Sequence, residues 1–398
     1  MIKTYVLILL LICCLPTSSR AQEFQWKKVD GFYGDRIKFA HNDTFLFAIS
    51  YESGVYRTAD KGVTMEEVNT GLPNGMPKNR IYRISAIAIH NGYVIIGTDS
   101  GRIYRSTNNG DSWVEVSKQL VGKNIHAFGR VGDVLFAGTE RGVGIYKSTD
   151  NGETWTESYN NPENNVINSF ATIGTTIIAG GRYLIRSTDY GATWKDAFSD
   201  YGLGISKLTA NSTTFFASTH TTGMIRGDND GTLWSDINTG IDASSGPSIM
   251  SAYATDNRVF AGTFSEIYQS TDKGESWKNI SNNFNGGAED FAIFGSTIFV
   301  GSGVLIHRTE LPVSVKESAM DSDFSIFPNP ADDIVKVMGS GTGILAVRDV
   351  LGRVIIEKAH SLNTETLIST HDMPTGVYMV EYNQNSGKRT LQSLVIHK

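Results

Sequence analysis

The sequence predicts an all-β protein: a seven-bladed β-propeller closed by an N-terminal strand, with a small C-terminal β-sandwich behind it. Three observations predict this. A ten-residue phrase, usually ending in tryptophan, recurs about every 40 residues. An apolar strand ending in small residues precedes every copy. The 41 glycines suit many short strands joined by tight turns.

The chain opens like an export signal. Lys3 supplies a positive start, residues 6–15 form an apolar stretch, and Ser19-Arg20-Ala21 offers small residues at the cleavage positions. A signal peptide is expected over residues 1–21, with mature protein beginning near Gln22. The alternative is a membrane anchor, but the apolar run is too short to cross ~30 Å of hydrocarbon. No later stretch reaches about 18 apolar residues, so no transmembrane segment is expected. Both cysteines, Cys13 and Cys14, lie in this leader, so the exported chain holds no thiol for a disulfide or a thiolate metal site. No metal and no cofactor is expected. Lipidation of Cys13 or Cys14 is the other reading, and Ile12 and Cys13 are poor residues to stand before a lipidated cysteine. With 35 Lys+Arg against 41 Asp+Glu and no basic run, the charge pattern does not support nucleic-acid binding.

The repeated phrase runs Tyr104-Arg-Ser-Thr-Asn-Asn-Gly-Asp-Ser-Trp113, Tyr146-Lys-Ser-Thr-Asp-Asn-Gly-Glu-Thr-Trp155, Ile185-Arg-Ser-Thr-Asp-Tyr-Gly-Ala-Thr-Trp194 and Tyr268-Gln-Ser-Thr-Asp-Lys-Gly-Glu-Ser-Trp277. Two degenerate copies complete the set. Residues 56–65 end on Met65 in place of tryptophan, and residues 225–234 have lost the first serine. Such a phrase makes a hairpin: Asp60, Asn108, Asp150, Asp189, Asn229 and Asp272 cap the turn through their own side chains. Gly62, Gly110, Gly152, Gly191, Gly231 and Gly274 take the positive φ, and Trp113, Trp155, Trp194, Trp234 and Trp277 begin the next strand. The turn accounts for these carboxylates without calcium or catalysis.

Upstream of each phrase lies an apolar strand, such as Leu46-Phe-Ala-Ile-Ser50 or Leu135-Phe-Ala-Gly-Thr139, and a seventh copy, Ile298-Phe-Val-Gly-Ser302, has no phrase after it. Before each strand stands a large apolar residue followed by a mostly small one, from Phe39-Ala40 to Phe291-Ala292. Each unit thus reads as four strands, A to D, with the phrase between C and D. Small residues on A suit a crowded central channel. The seventh unit lacks a strand D. Phe24-Gln-Trp26-Lys-Lys-Val29 supplies it from the other terminus, leaving no open edge. All six tryptophans, with Met65 as the seventh member, then share one column, which favours a core role over sugar stacking.

The phrase resembles the bacterial neuraminidase repeat, or Asp-box, of sialidases, sortilin-type receptors, photosystem assembly factors (YCF48-like) and xyloglucanase-like glycosidases. The resemblance covers the propeller, residues 22–310, and implies the fold; these families do unrelated things on one scaffold.

Residues 311–322 read as a linker, and residues 323–398 open a new pattern. Phe324-Ser-Ile-Phe-Pro-Asn-Pro-Ala-Asp-Asp333, Val347-Arg-Asp-Val-Leu-Gly-Arg-Val354, Met373-Pro-Thr-Gly-Val-Tyr-Met-Val380 and Leu394-Val-Ile-His-Lys398 alternate short strands with Pro or Gly turns, enough for a small β-sandwich. They resemble the type A C-terminal sorting domain of the type IX secretion system of Bacteroidetes. That resemblance implies the type IX secretion machinery as a partner and a destination outside the cell, free or on the surface. An ordinary adhesion module is the alternative.

For function, a propeller of this kind presents its ligand face where the D-to-A and B-to-C loops emerge. The longest D-to-A connections here are residues 69–83, 158–166 and 238–248. A sialidase needs three arginines on the substrate carboxylate, a Tyr nucleophile with its Glu, and an acid/base Asp. Arg57, Arg105, Arg186, Arg226 and Arg308 instead recur at one repeat position and read as outer-strand residues, and no Arg-Ile-Pro phrase opens the first blade. Arg36 and Arg83 near the start of strand A, with Glu289 and Asp290 in blade seven, are the ligand-binding candidates. Neighbours on a strand face opposite ways, which weakens Glu289 and Asp290 as a catalytic pair, and no catalytic residue is assigned. The expectation is a non-catalytic binding propeller for an extracellular glycan or protein. A glycoside hydrolase or lyase acting on extracellular polysaccharide is the alternative, and a periplasmic assembly factor is disfavoured by the export domain.

Overall fold

The protein, described as a computed structural model, is defined over residues 24–73, 83–140, 144–160, 166–198, 203–228, 230–242, 248–311, 324–327, 333–339, 342–349, 353–360, 365–385 and 389–396. The expected signal peptide, most of the expected linker, Asn229 and the middles of the three long D-to-A connections lie outside these residues. The chain divides into two compact units, residues 1–312 and 313–398. Among the described residues no helix is long and apolar enough to cross a membrane.

The first unit holds seven four-stranded antiparallel sheets. Blade 1 shows the plan: strand A (Lys38–His41), B (Leu46–Ser50), C (Gly54–Thr58) and D (Glu66–Glu67), each paired with the next. Five more sheets follow in chain order. The seventh takes its A, B and C strands from Asp290–Phe294, Thr297–Ser302 and Leu305–Glu310, and its D strand from Lys27–Lys28. Lys27 pairs with Arg308 and Lys28 with His307, so the amino-terminal strand closes the ring as the sequence predicts. The seven A strands touch one another all the way round, the last meeting the first.

Burial explains why the B strands are apolar along their whole length. Leu46–Ser50, Thr176–Gly180 and Phe215–Thr219 are buried at every position, because sheets cover both faces. Seven apolar clusters fill the gaps between blades, and each contains one member of the tryptophan column. Trp113 packs with Phe47 and Val68, Trp277 with Phe216 and Ile237, Trp26 with Phe284 and Ile298, and Met65 takes the equivalent place beside Val29 and Phe32. Trp113 and Trp26 also donate their indole N–H to carbonyls of the preceding blade, Val68 O at 2.7 Å and Ile280 O at 3.1 Å.

The turn phrases are built as side-chain cages. Asn108 Oδ1 accepts from Ser112 N at 3.0 Å and from Ser106 Oγ at 2.9 Å, while Ser106 Oγ accepts from Gly110 N at 2.8 Å. Asp60, Asp150, Asp189 and Asp272 repeat this cage. The positive φ is shared by two residues, not carried by glycine alone. Lys61, Asn109, Asn151, Tyr190 and Lys273 precede their glycines at φ 54–59°. In blade 5 Gly227 stands in the serine position and Asp228 Oδ1 accepts from Thr232 N at 2.9 Å, while the expected cap Asn229 lies outside the described residues.

The arginines beside these turns tie neighbouring blades together. Arg57 of blade 1 donates to Asn109 O at 2.6 Å and pairs with Asp111 at 2.7 Å, both in the turn of blade 2. Arg105 does the same to Asn151 O and Glu153, and Arg226 to Lys273 O and Glu275.

In the second unit, a three-stranded sheet (Phe324–Phe327, Ile334–Gly339, Glu365–Ser369) and a four-stranded sheet (Val354–His360, Gly343–Arg348, Gly376–Gln384, Arg389–Ile396) share one apolar core. Val335, Val337 and Ile368 from the first meet Leu345, Val347, Val380, Tyr382 and Leu394 from the second.

Candidate binding site at the channel mouth

Aligning the seven units on their large apolar A-strand residue exposes one column immediately before it: Lys38, Ala86, Ala127, Ser169, Lys207, Ala252 and Asp290. Five of these A strands carry Ala or Lys at this point, one serine and one aspartate. Only three members are charged, and ring closure brings them together. Lys207 Nζ of blade 5 lies 2.7 Å from Asp290 Oδ1 of blade 7. The other oxygen, Asp290 Oδ2, accepts from Phe39 N of blade 1 at 3.0 Å. Lys38 reaches the other way, donating to Ser85 O of blade 2 at 2.8 Å and His126 O of blade 3 at 2.6 Å.

These side chains floor a cavity of about 420 Å³ at the end of the channel where the D-to-A connections enter strand A. Its lining also includes Arg36, His126, Asn168, Ser206 and Glu289, and the edges of Phe39, Phe128 and Phe170, which pack into the clusters between blades. A second space of about 270 Å³ continues beyond, and Lys207 and Asp290 line both, so their ion pair stands at the constriction.

The electrostatics follow from enclosure. Burial, reinforced by the neighbouring Lys207 ammonium and opposed by Asp290, pushes the Lys38 amine down to about 8. Burial and then Lys38 lower His126, against the pull of Glu140. Burial raises the Glu289 carboxyl, against backbone N–H groups of Gly303 and Ile37 that favour its charged form.

Three of the four residues chosen from sequence, Arg36, Glu289 and Asp290, line this cavity. Glu289 and Asp290 both face it although they are neighbours, because Glu289 lies in the lead-in and strand A begins at Asp290; the alternation expected within a strand does not apply. Arg83 stands at the rim: its guanidinium stacks 4.9 Å from the Tyr51 ring and donates to Tyr51 Oη at 3.2 Å. Arg36 stacks on the same ring at 4.5 Å and holds φ at +49°, a conformation L side chains rarely adopt. Sequence reasoning passed over Lys38, Lys207, His126 and Tyr51. The signal for the lysines was present, since they break a column otherwise filled mainly by Ala and Ser.

Hairpin topology puts the B-to-C and D-to-A connections on one face. That face exposes Tyr33 (70%) and Phe264 (66%) in blades bordering the mouth.

Fold and terminal unit together define an exported β-propeller with a C-terminal secretion signal. Residues 325–397 match the secretion system C-terminal sorting domain, Por_Secre_tail, the type IX signal, so the protein is secreted or held on the cell surface of a Bacteroidetes-type bacterium. Among solved structures, the chain is similar to YCF48 bound to D1 peptide, with 13% identity, TM-score 0.57, and 74% of this chain and 97% of that one covered. It is likewise similar to YCF48 from Cyanidioschyzon merolae (17% identity, TM-score 0.54, 72% and 98% covered). The GH74 xyloglucanase from Xanthomonas campestris aligns at 14% identity and TM-score 0.57 over 94% of this chain and 74% of that one. At these identities the likeness is one of fold. No curated protein matches the sequence.

Proposed function

We propose that the propeller is a non-catalytic binding module, delivered outside the cell by its sorting domain, that recognises a glycan or protein ligand through its channel-mouth face. One observation carries this reading: the buried Asp290 carboxylate is already committed, one oxygen to Lys207 and the other to the Phe39 amide. A general acid or nucleophile needs an oxygen free to reach substrate. Arg36 and Glu289 in the cavity and Arg83 at the rim are the proposed direct ligand contacts, and Asp290, expected from sequence to join them, acts through Lys207. The proposed division is a leader over 1–21, a propeller over 22–310, a linker over 311–322 and the sorting domain over 323–398. Sequencing the termini of the secreted protein tests its ends.

The test of binding is a glycan and secreted-protein screen with the mature chain; a saturable partner weakened by Arg36→Ala and Glu289→Gln is expected. Failure to find any saturable partner counts against the reading. A glycosidase is the second reading, favoured by the raised Glu289 carboxyl. It predicts turnover of an extracellular polysaccharide that Glu289→Gln abolishes.

A further inference from the structure

The cavity is lined by three cations, Arg36, Lys38 and Lys207, and two carboxylates, Glu289 and Asp290. In the ring column two ammonium groups face one carboxylate, and that carboxylate is paired with Lys207 at 2.7 Å. The hydrogen-bond partners of Lys38 are the Ser85 and His126 carbonyls, which take two of its three donors, and the carboxylate acting on it is Asp290, already paired with Lys207. An enclosed cation without its own counter-ion draws an anion from solvent far more strongly than a solvated one. Asn168 and Ser206 put amide and hydroxyl groups on the wall, and Phe39, Phe128 and Phe170 also line it. Polar walls beside aromatic rings suit a pyranose, whose hydroxyls need partners and whose C–H faces pack on rings. The volume of about 420 Å³ admits about one sugar residue, and the Lys207–Asp290 pair bars a chain from threading further.

We propose that the channel mouth binds the terminal residue of an acidic polysaccharide, its carboxylate or sulfate held by Lys38 and Lys207 and its ring against the Phe39, Phe128 and Phe170 side of the lining. This rests on the binding-module reading and narrows it to a ligand class.

The experiment is calorimetry on the mature secreted protein at low salt with four probes: methyl β-glucuronide, glucose 6-sulfate, methyl β-glucoside and an acidic tetrapeptide. The expected result is that the glucuronide or the sulfate binds at least tenfold more tightly than the glucoside and the peptide, and that added salt weakens it. The stronger of the two identifies the acid. Lys207→Met and Lys38→Met should each lose at least tenfold, while Lys278→Ala on the outermost strand of blade 6 changes binding less than twofold. Because Lys38 also ties blades together, NMR of lysine-labelled unsubstituted protein provides a second readout: saturating glucuronide should raise the Lys38 titration midpoint by about one unit, the shift that tenfold linkage requires. Equal binding of glucoside and glucuronide, preference for the peptide, or acid binding that neither lysine variant nor the Lys38 signal registers would each overturn the inference. If none of the probes binds, the inference also falls, while the wider reading is decided separately by the partner screen.

Discussion

Lys207 and Asp290, 83 residues apart, meet at 2.7 Å and join blade 5 to blade 7 across the channel, past the blade that lies between them in the ring. Through its second oxygen Asp290 also holds blade 1, so one carboxylate couples three blades at the level where the channel narrows. Its role is thereby structural before it is chemical.

Removing the lysine should leave a buried charge with only one amide partner. Lys207→Met is expected to cost about 2–3 kcal/mol in urea unfolding, below the fully buried range because Lys207 is partly solvated. Adding Asp290→Leu should restore part of the loss. A double variant less stable than Lys207→Met alone would refute the pairing argument.

Lys38 makes stability depend on pH in a defined direction. Its folded pKa of about 8 lies below the usual lysine value of about 10.4, so between those values the unfolded chain binds more protons than the folded one. Its contribution to stability therefore rises as pH climbs from about 8 to about 10.4. Lys38→Met should flatten that rise, which denaturant titrations at pH 7.5, 9 and 10 would show.

The turn carboxylates act in the same sense, in an acidic window. Hydrogen bonds from Thr193 and Ser187 hold Asp189 down to about 2, and those from Ser276 and Ser270 do the same to Asp272. The stability each confers is complete above about pH 4 and fades as pH falls toward 2. Asp272→Asn should be nearly neutral at pH 7, since Asn108 fills the same cage in blade 2. Asp272→Ala should cost about 1 kcal/mol, as lost caps do. Thermal melts of the two variants separate cage from charge.

The blade-to-blade arginines predict a contrast. Arg57→Ala should cost about 2 kcal/mol, because it abandons the Asn109 carbonyl and the Asp111 carboxylate. At the same repeat position blade 6 carries Gln269, whose buried Nε2 has no hydrogen-bond partner, and the next sheet receives its outer strand from the amino terminus without such a turn. Gln269→Met should therefore be neutral or stabilising in the same assay.

Much of the architecture was legible in the sequence because a repeat announces itself locally. The turn cage needs a hydroxyl, an Asp or Asn and a glycine within a few positions, and the interblade gap needs a large apolar side chain at a fixed distance after them. Ring closure could be read from a missing strand at one end and a spare Trp26 strand at the other. The sorting signal was readable for the same reason, as short phrases in order. In blade 5, where the serine is lost, Asp228 accepts from Thr232 N, a bond the phrase itself did not announce.

The site was legible only in part. Arg36, Glu289 and Asp290 could be chosen because they start A strands, and A strands line a channel. Which of them pair, and that Lys38 and Lys207 join them, depends on the curvature of the whole ring, which sets residues of blades 1, 5 and 7 facing one another across a few ångströms. Charge on a strand is a property of the chain, whereas its partner, its burial and its depressed or raised pKa belong to the closed circle of sheets.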